Sequence, residues 1–257
     1  MAMTNAHRLC LQSFMTRGMM SEDEVKRLHR HACTHCQVYH VENGHKPFIQ
    51  IINTNIKPFS MEIRNCKNED DGSLVYVLVR TAESDICKLI SDYHASELVL
   101  FQKTIDLIVE NNTGTASSTD CLNITLPNSN KMSKKDAQIV LDKFVADKWL
   151  QVNQGQISLT PRSMLELKRY LRDIYPDDIT DCNICRDIVL KGNSCNNGNC
   201  TVRLHFHCCR DYFHGRSNAN CPGCATKWVS GVENGTANDS AFEGTSSSAR
   251  LSRKRKK

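Results

Sequence analysis

The first 80 residues change from helical to strand-like spacing of apolar positions. Residues 5–14 predict a first helix, and Ser21, which precedes three acidic residues, predicts the start of a second helix. Apolar residues recur at helical spacing over 48–56, which predicts a third helix. The runs 61–63 and 74–79 flank a polar turn that contains glycine, and this pattern indicates a β-hairpin. Three helices followed by a hairpin are typical of a winged helix.

A similar order follows in the next stretch. Residues 96–109 predict a helix, whereas 111–120 are rich in Thr, Ser and Asn and predict a loop. Ser133 begins a strongly periodic helix, and residues 149–159 predict a tight hairpin. A closing helix starts at Pro161 and ends before Pro176. The exposed charges expected on it have both signs, which favours a solvated face over a DNA-reading face: Glu166, Lys168, Arg169, Arg172 and Asp173.

The predicted class is therefore α+β, with tandem winged-helix domains at residues 1–92 and 93–178. A small cysteine-rich domain at 179–228 follows. Residues 229–257 are mostly Gly, Ser, Thr, Asn and Ala, which predicts a disordered tail with a basic C-terminus.

The formal net charge adds little to this prediction of domains. It is +5, and removing the six Lys and Arg residues of 250–257 leaves −1 for the rest of the chain. Net charge therefore gives no argument for a nucleic-acid surface on the folded part, and the basic end resembles a nuclear-import signal. No run of apolar residues is long enough for a membrane span, and the start lacks the apolar core of a signal peptide. We expect a nuclear protein without membrane contact.

Eight of the 14 cysteines lie within the 43 residues from Cys182 to Cys224, together with three histidines. They form the successive pairs CxxC, C-x4-C, HxxC and CxxC, and two ligands on one turn suit tetrahedral zinc. A second cluster of His and Cys residues, between His29 and His40, also contains residue types that bind metals. It has no further ligand pair within reach, which favours an ordinary histidine-rich helix end there.

Four pairs make two zinc sites, and their spacing leaves two arrangements open. Neighbouring pairs share a zinc in a simple ribbon, whereas alternate pairs share one in a cross-brace. Seven cysteines with a histidine in fifth place resemble RING and PHD fingers, which favours the cross-brace. The two predicted sites are then Cys182, Cys185, His205 and Cys208, and Cys195, Cys200, Cys221 and Cys224. Since the protein supplies every ligand, both zinc ions are expected to be structural.

The residues between the ligands separate the two finger types. PHD fingers carry Trp at the position of Ala219, whereas RING fingers carry an aliphatic residue and Pro at the positions of Ile184 and Pro222. These two residues are the predicted docking face for a ubiquitin-conjugating enzyme, to which Tyr212 or Phe213 is expected to contribute. The C-x4-C pair departs from common RING spacing, and many active RINGs have Arg where this chain has Ala225. A scaffold of weak activity and a PHD-type chromatin reader remain alternatives.

The ordered combination resembles the non-SMC element one family, the RING-like subunits of the structural maintenance of chromosomes five/six complex. The resemblance covers about residues 1–228, and its most specific motifs are HFHCC and CPGC. It implies a ubiquitin-ligase subunit that binds a MAGE-type subunit and a kleisin subunit. It also implies nuclear, chromosome-associated work in DNA repair by homologous recombination, with contact to DNA left open.

Overall fold

The computed structural model describes residues 2–81, 93–127, 132–216 and 219–229. Of the predicted disordered, basic tail at 229–257, every residue except Val229 lies outside the described residues. The N-terminal unit contains these elements in order: α1 (Asn5–Arg17), β1 (Met19–Ser21), α2 (Glu22–His35), α3 (His45–Ile56), a short 3₁₀ turn (Lys57–Phe59), β2 (Met61–Lys67) and β3 (Leu74–Arg80). Its antiparallel sheet has the order β1-β3-β2.

Local sequence explains where α2 begins. The Ser21 hydroxyl accepts a hydrogen bond from the Glu24 backbone N–H at 3.3 Å, and the Glu24 carboxylate accepts one from the Ser21 N–H at 2.9 Å. This reciprocal cap satisfies two backbone donors that the helix leaves free. Phe14, Ile52 and Tyr76 pack in the core of this unit. Met15 of α1, although apolar, is exposed.

The second unit contains α4 (Ala95–Glu110), β4 (Ala116–Ser117), α5 (Ser118–Leu122), α6 (Lys134–Ala146), β5 (Leu150–Asn153), β6 (Gln156–Leu159), α7 (Pro161–Glu166) and α8 (Lys168–Ile174). Its sheet has the order β4-β6-β5. In its core Phe101 stacks on Phe144 and meets Trp149 edge-on. The mixed helix and sheet class is confirmed, and the winged-helix assignment of both units stays our interpretation of this element order.

The loop predicted at 111–120 is partly wrong. Ala116 and Ser117 pair with β6, and a short helix starts at Ser118. The Ser118 hydroxyl donates to the Gly155 carbonyl at 2.7 Å, and Cys121 is fully buried. Pairing with a distant strand therefore overrides a composition that is typical of loops.

The single closing helix is also wrong, since it breaks at Leu167 into α7 and α8. The first half contacts both preceding units, since Leu165 packs against the β3 valines and Met164 packs against the second core, where Leu171 of the second half also lies. Glu166, expected on a solvated face, has a side chain only 2% exposed and pairs with Arg162 at 3.1 Å. Its pKa is raised because burial outweighs the nearby guanidinium.

The C-terminal unit is a small finger of short elements. They are β7 (Thr180–Asp181), β8 (Ile188–Val189), β9 (Gly192–Ser194), β10 (Arg203–His205) and α9 (Phe206–Phe213). Trp228 packs on Phe213 beside the cysteines, at the end of the module. Among the described helices of the whole chain, none is both long and apolar enough to cross a bilayer.

Candidate metal centre

The finger brings eight side chains into two groups of four, and within each group all ligand atoms lie within 4.8 Å of one another. One group is Cys182, Cys185, His205 and Cys208, and the other is Cys195, Cys200, Cys221 and Cys224. Alternate pairs of the sequence thus join, so the structure has the cross-brace and not the simple ribbon.

The distances inside each group suit a tetrahedral ion. The sulfurs of Cys195 and Cys224 are 3.6 Å apart, and those of Cys200 and Cys221 are 3.8 Å apart. Four ligands at the usual zinc–sulfur distance of about 2.3 Å place neighbouring sulfurs about 3.8 Å apart. In the other group, Nδ1 of His205 lies 3.3 Å from the Cys185 sulfur. Thiolate and imidazole donors in this geometry fit zinc.

Each CxxC turn has the same backbone geometry. The N–H of Arg186 donates to the Cys182 carbonyl at 2.9 Å, and the N–H of Ala225 donates to the Cys221 carbonyl at 3.0 Å. Both residues that follow the turns are left-handed, with φ of 63° at Arg186 and 58° at Ala225. Such a turn presents two sulfurs to one point.

Backbone amides favour the thiolate form that a metal needs. Burial opposes ionisation of Cys182, yet hydrogen bonds from the backbone of Cys185, His205 and Ile184 lower its pKa to about 7. Hydrogen bonds from the side chain and backbone of Thr226 lower the pKa of Cys224 to about 6. In each group, hydrogen bonding therefore lowers the pKa of one cysteine.

His205 turns its two ring nitrogens to different partners. Nδ1 faces the sulfurs, whereas Nε2 lies 2.9 Å from the Ile188 carbonyl and 3.4 Å from Oε1 of Glu69. Burial lowers the pKa of His205, but the Glu69 carboxylate and the Cys185 sulfur outweigh it, and the pKa of the metal-free ring rises to about 9. Glu69 lies on the turn between β2 and β3, outside the finger.

Both preceding units hold the finger in place. Lys191 of the finger donates to Asp70 at 2.6 Å and to Ser158 at 2.8 Å, which joins it to both units. The Arg203 guanidinium donates to the carbonyls of Asn112 and Leu190, each at 2.6 Å. The β2–β3 turn, through Asp70, and the segment after α4, through Asn112, thus both form hydrogen bonds with the finger.

Replacing Gly72 by Ala tests how closely the first hairpin approaches the finger. Gly72 has φ of +74°, and a Cβ there would lie 2.6 Å from Cβ of His207. We expect a loss of about 1–3 kcal/mol of unfolding free energy, measured by denaturant unfolding. Gly155→Ala is the matched control, since Gly155 has φ of +77° and open space around it. Equal losses in the two variants would mean that contact with the finger contributes nothing.

The predicted docking residues differ in exposure. Ile184 is 39% exposed, and Pro222 is partly buried. Phe213, expected to contribute, is 3% exposed and belongs to the core of the finger, whereas Tyr212 is partly buried with Arg216 over its ring. Phe206, which the sequence analysis missed, is 45% exposed. It is the first residue of α9, where buried and exposed positions do not alternate, so no sequence pattern identified it.

The histidine-rich stretch of the first unit forms no such group. In the part of the chain that the structure describes, only the two groups of the finger meet metal-binding distances. His29 lies against the rings of His40 and Phe48, and burial lowers the pKa of His29 to about 4 with help from nearby histidines. Packing against these rings is enough to explain why His29 is buried.

Comparison with known proteins agrees with this geometry. The family described as "Nse1 non-SMC component of SMC5-6 complex" matches residues 7–167, and a "RING-like domain" family matches residues 182–224. The Homo sapiens protein named "Non-structural maintenance of chromosomes element 1 homolog" is 39% identical over 231 residues, covering 88% of this chain and 85% of that protein. The Schizosaccharomyces pombe protein named "Non-structural maintenance of chromosomes element 1" is 24% identical, covering 88% of this chain and 93% of that protein.

A solved structure titled "Nse1-Nse3-Nse4 complex" contains a similar chain. The TM-score is 0.81 at 36% sequence identity, and the match covers 89% of this chain and 98% of that one. The extent of these matches, together with the C-terminal finger, shows that the chain belongs to the Nse1 family of non-SMC components of the SMC5-6 complex.

Proposed function

We propose that this chain is a RING-type ubiquitin-protein ligase subunit of the SMC5-6 complex. The observation that carries the proposal is the cross-braced pair of ligand groups, with the apolar Ile184 exposed on the turn between Cys182 and Cys185. A RING forms no covalent intermediate with ubiquitin. It orients a charged conjugating enzyme so that a lysine attacks the thioester, which is catalysis by proximity. No residue of this chain is therefore expected to act as a nucleophile.

The proposed metal content is two structural zinc ions, one in each group. Four protein donors surround each position, so neither ion keeps a site for water or substrate. The ligands of the first ion are Cys182, Cys185, His205 and Cys208, and those of the second are Cys195, Cys200, Cys221 and Cys224. The ions hold the finger folded, while Ile184 and Pro222 contact the conjugating enzyme.

The proposed partners are a MAGE-type subunit and a kleisin subunit. Support comes from the similar solved chain, whose title names a complex of three components. Within such an assembly the chain acts in the nucleus, on chromosomes, in DNA repair by homologous recombination. Contact with DNA is assigned to the complex, because the net charge of this chain outside its tail gives no argument for a basic surface.

The second candidate is a scaffold of weak ligase activity, which Ala225 favours. Many active RINGs carry Arg at this position, where it holds the conjugated ubiquitin. Transfer of ubiquitin from a panel of charged conjugating enzymes, measured with the zinc-loaded chain in complex with its MAGE-type partner, separates the two candidates. Ligase function predicts robust transfer with at least one enzyme, and absent or barely detectable transfer with all of them supports the scaffold.

Ala225→Arg is expected to raise ubiquitin transfer about tenfold, because a hydrogen bond to a charged group contributes about 1.4 kcal/mol. The substitution fits the fold, since Arg186 occupies the equivalent left-handed position after the other CxxC turn. Ala225→Lys is the control that adds charge without the planar fork of Arg. The assay is single-turnover discharge, and an unchanged rate in Ala225→Arg would show that the missing guanidinium does not limit activity.

A further inference from the structure

The turn between β2 and β3 inserts one carboxylate, that of Glu69, among residues of the finger. Glu69 belongs to the N-terminal unit, yet its side chain is only 11% exposed. Polar residues on a hairpin turn are ordinarily solvated. A carboxylate removed from water needs compensating donors, and all of those found for Glu69 come from residues of the finger.

Two backbone donors of the finger converge on Oε1 of Glu69, and one ring nitrogen lies close to the same oxygen. The backbone N–H of Leu190 donates at 2.8 Å, that of Lys191 donates at 3.3 Å, and Nε2 of His205 lies at 3.4 Å. The same Nε2 is 2.9 Å from the Ile188 carbonyl. Glu69 therefore fixes the backbone directly after Ile188, whose carbonyl orients the ring, and also places a negative charge beside that ring.

This arrangement is that of an outer-shell partner of a metal ligand. A ligating histidine usually donates its second N–H to a carboxylate or a carbonyl, which sets its tautomer and ring direction. With Nε2 so occupied, Nδ1 is free to face the sulfurs of Cys185 and Cys208, at 3.3 and 3.8 Å.

From this geometry we propose that Glu69 is a positioning residue for the metal centre. The N-terminal hairpin completes the outer shell of the His205 group, and metal retention in that group depends on the Glu69 carboxylate itself. The inference rests on the proposed zinc content. It goes beyond it, because it assigns a role in the metal centre to a residue more than 100 positions before the finger.

The experiment measures zinc affinity of the full-length chain by competition with a chromogenic chelator. Glu69→Ala is expected to lower the affinity of one of the two sites roughly 10- to 100-fold and to leave the other unchanged. Glu69→Gln keeps an acceptor oxygen for the Leu190 N–H, and its loss is expected to be smaller. It serves as the folded variant if Glu69→Ala does not fold.

Asp70→Ala is the matched control. Asp70 lies on the same turn and bonds Lys191 and Gln151, at 2.6 and 2.7 Å, so its removal weakens the same docking contact without touching the ligand. We expect both sites of Asp70→Ala to keep close to their wild-type affinity.

Cobalt in place of zinc supplies a second readout. The group with one histidine and the group of four cysteines differ in their d–d absorption, and Glu69→Ala should perturb only the bands of the histidine-containing group. Wild-type affinity in Glu69→Ala, or an equal loss in Asp70→Ala, would overturn the role of Glu69. A wild-type chain that binds no zinc would instead overturn the proposed metal content itself.

Discussion

Cys185→Ala is expected to release zinc and unfold the finger, while the two preceding units stay folded. Metal binding supplies about 10–16 kcal/mol of folding free energy to a zinc finger, and the small apolar core here cannot replace it. His205→Ala removes another ligand of the same group and should have the same effect. The measurement is zinc per chain, combined with tryptophan fluorescence, since Trp228 loses its buried position and Trp149 does not.

Cys209→Ala is the control for this prediction. Cys209 is buried directly beside Cys208 but belongs to neither ligand group. The variant should keep its full zinc content and lose only the small stability expected for a buried thiol. A Cys185→Ala chain that holds two zinc ions per molecule would contradict the assigned ligands.

Ile184→Asp is expected to reduce ubiquitin transfer at least 30-fold without loss of zinc. Truncation or charging of a central contact in an apolar interface costs about 2 kcal/mol or more, and the exposed Ile184 side chain makes little contribution to the core of the finger. The measurement is discharge of ubiquitin from a charged conjugating enzyme, beside a zinc assay of the same sample.

Val229→Asp is the matched control, because Val229 is 70% exposed at the end of the same module. It introduces the same charge on the finger and should leave transfer close to wild type. Equal transfer by Ile184→Asp and the wild-type chain would remove Ile184 from the docking face.

Much of this fold could be predicted from local sequence because the signals are local. The Ser21 cap and the Pro161 start depend on residues within one helical turn, and both lie where the pattern placed them. The ligand groups followed from the CxxC and HxxC spacings together with the resemblance to RING fingers. A tight turn brings its own two sulfurs together, so little tertiary information was needed.

The remaining features depend on contacts between distant segments. Composition predicts a loop at Ser118, but its hydroxyl donates to the distant Gly155 carbonyl. The charge of Glu166 predicts a solvated side chain, but that side chain is buried and pairs with Arg162. The sequence around Glu69 predicts an exposed polar hairpin turn, whereas the finger buries the Glu69 side chain. No periodicity of the sequence encodes such contacts.

The most direct test of the central claim is single-turnover discharge of ubiquitin by the zinc-loaded chain, with and without a MAGE-type partner and beside Ile184→Asp. A variant RING ligase completed by its complex predicts transfer that rises when the partner is present and is lost in the variant. No transfer across a broad panel of conjugating enzymes, from a chain that holds two zinc ions and its partner, would contradict ligase function.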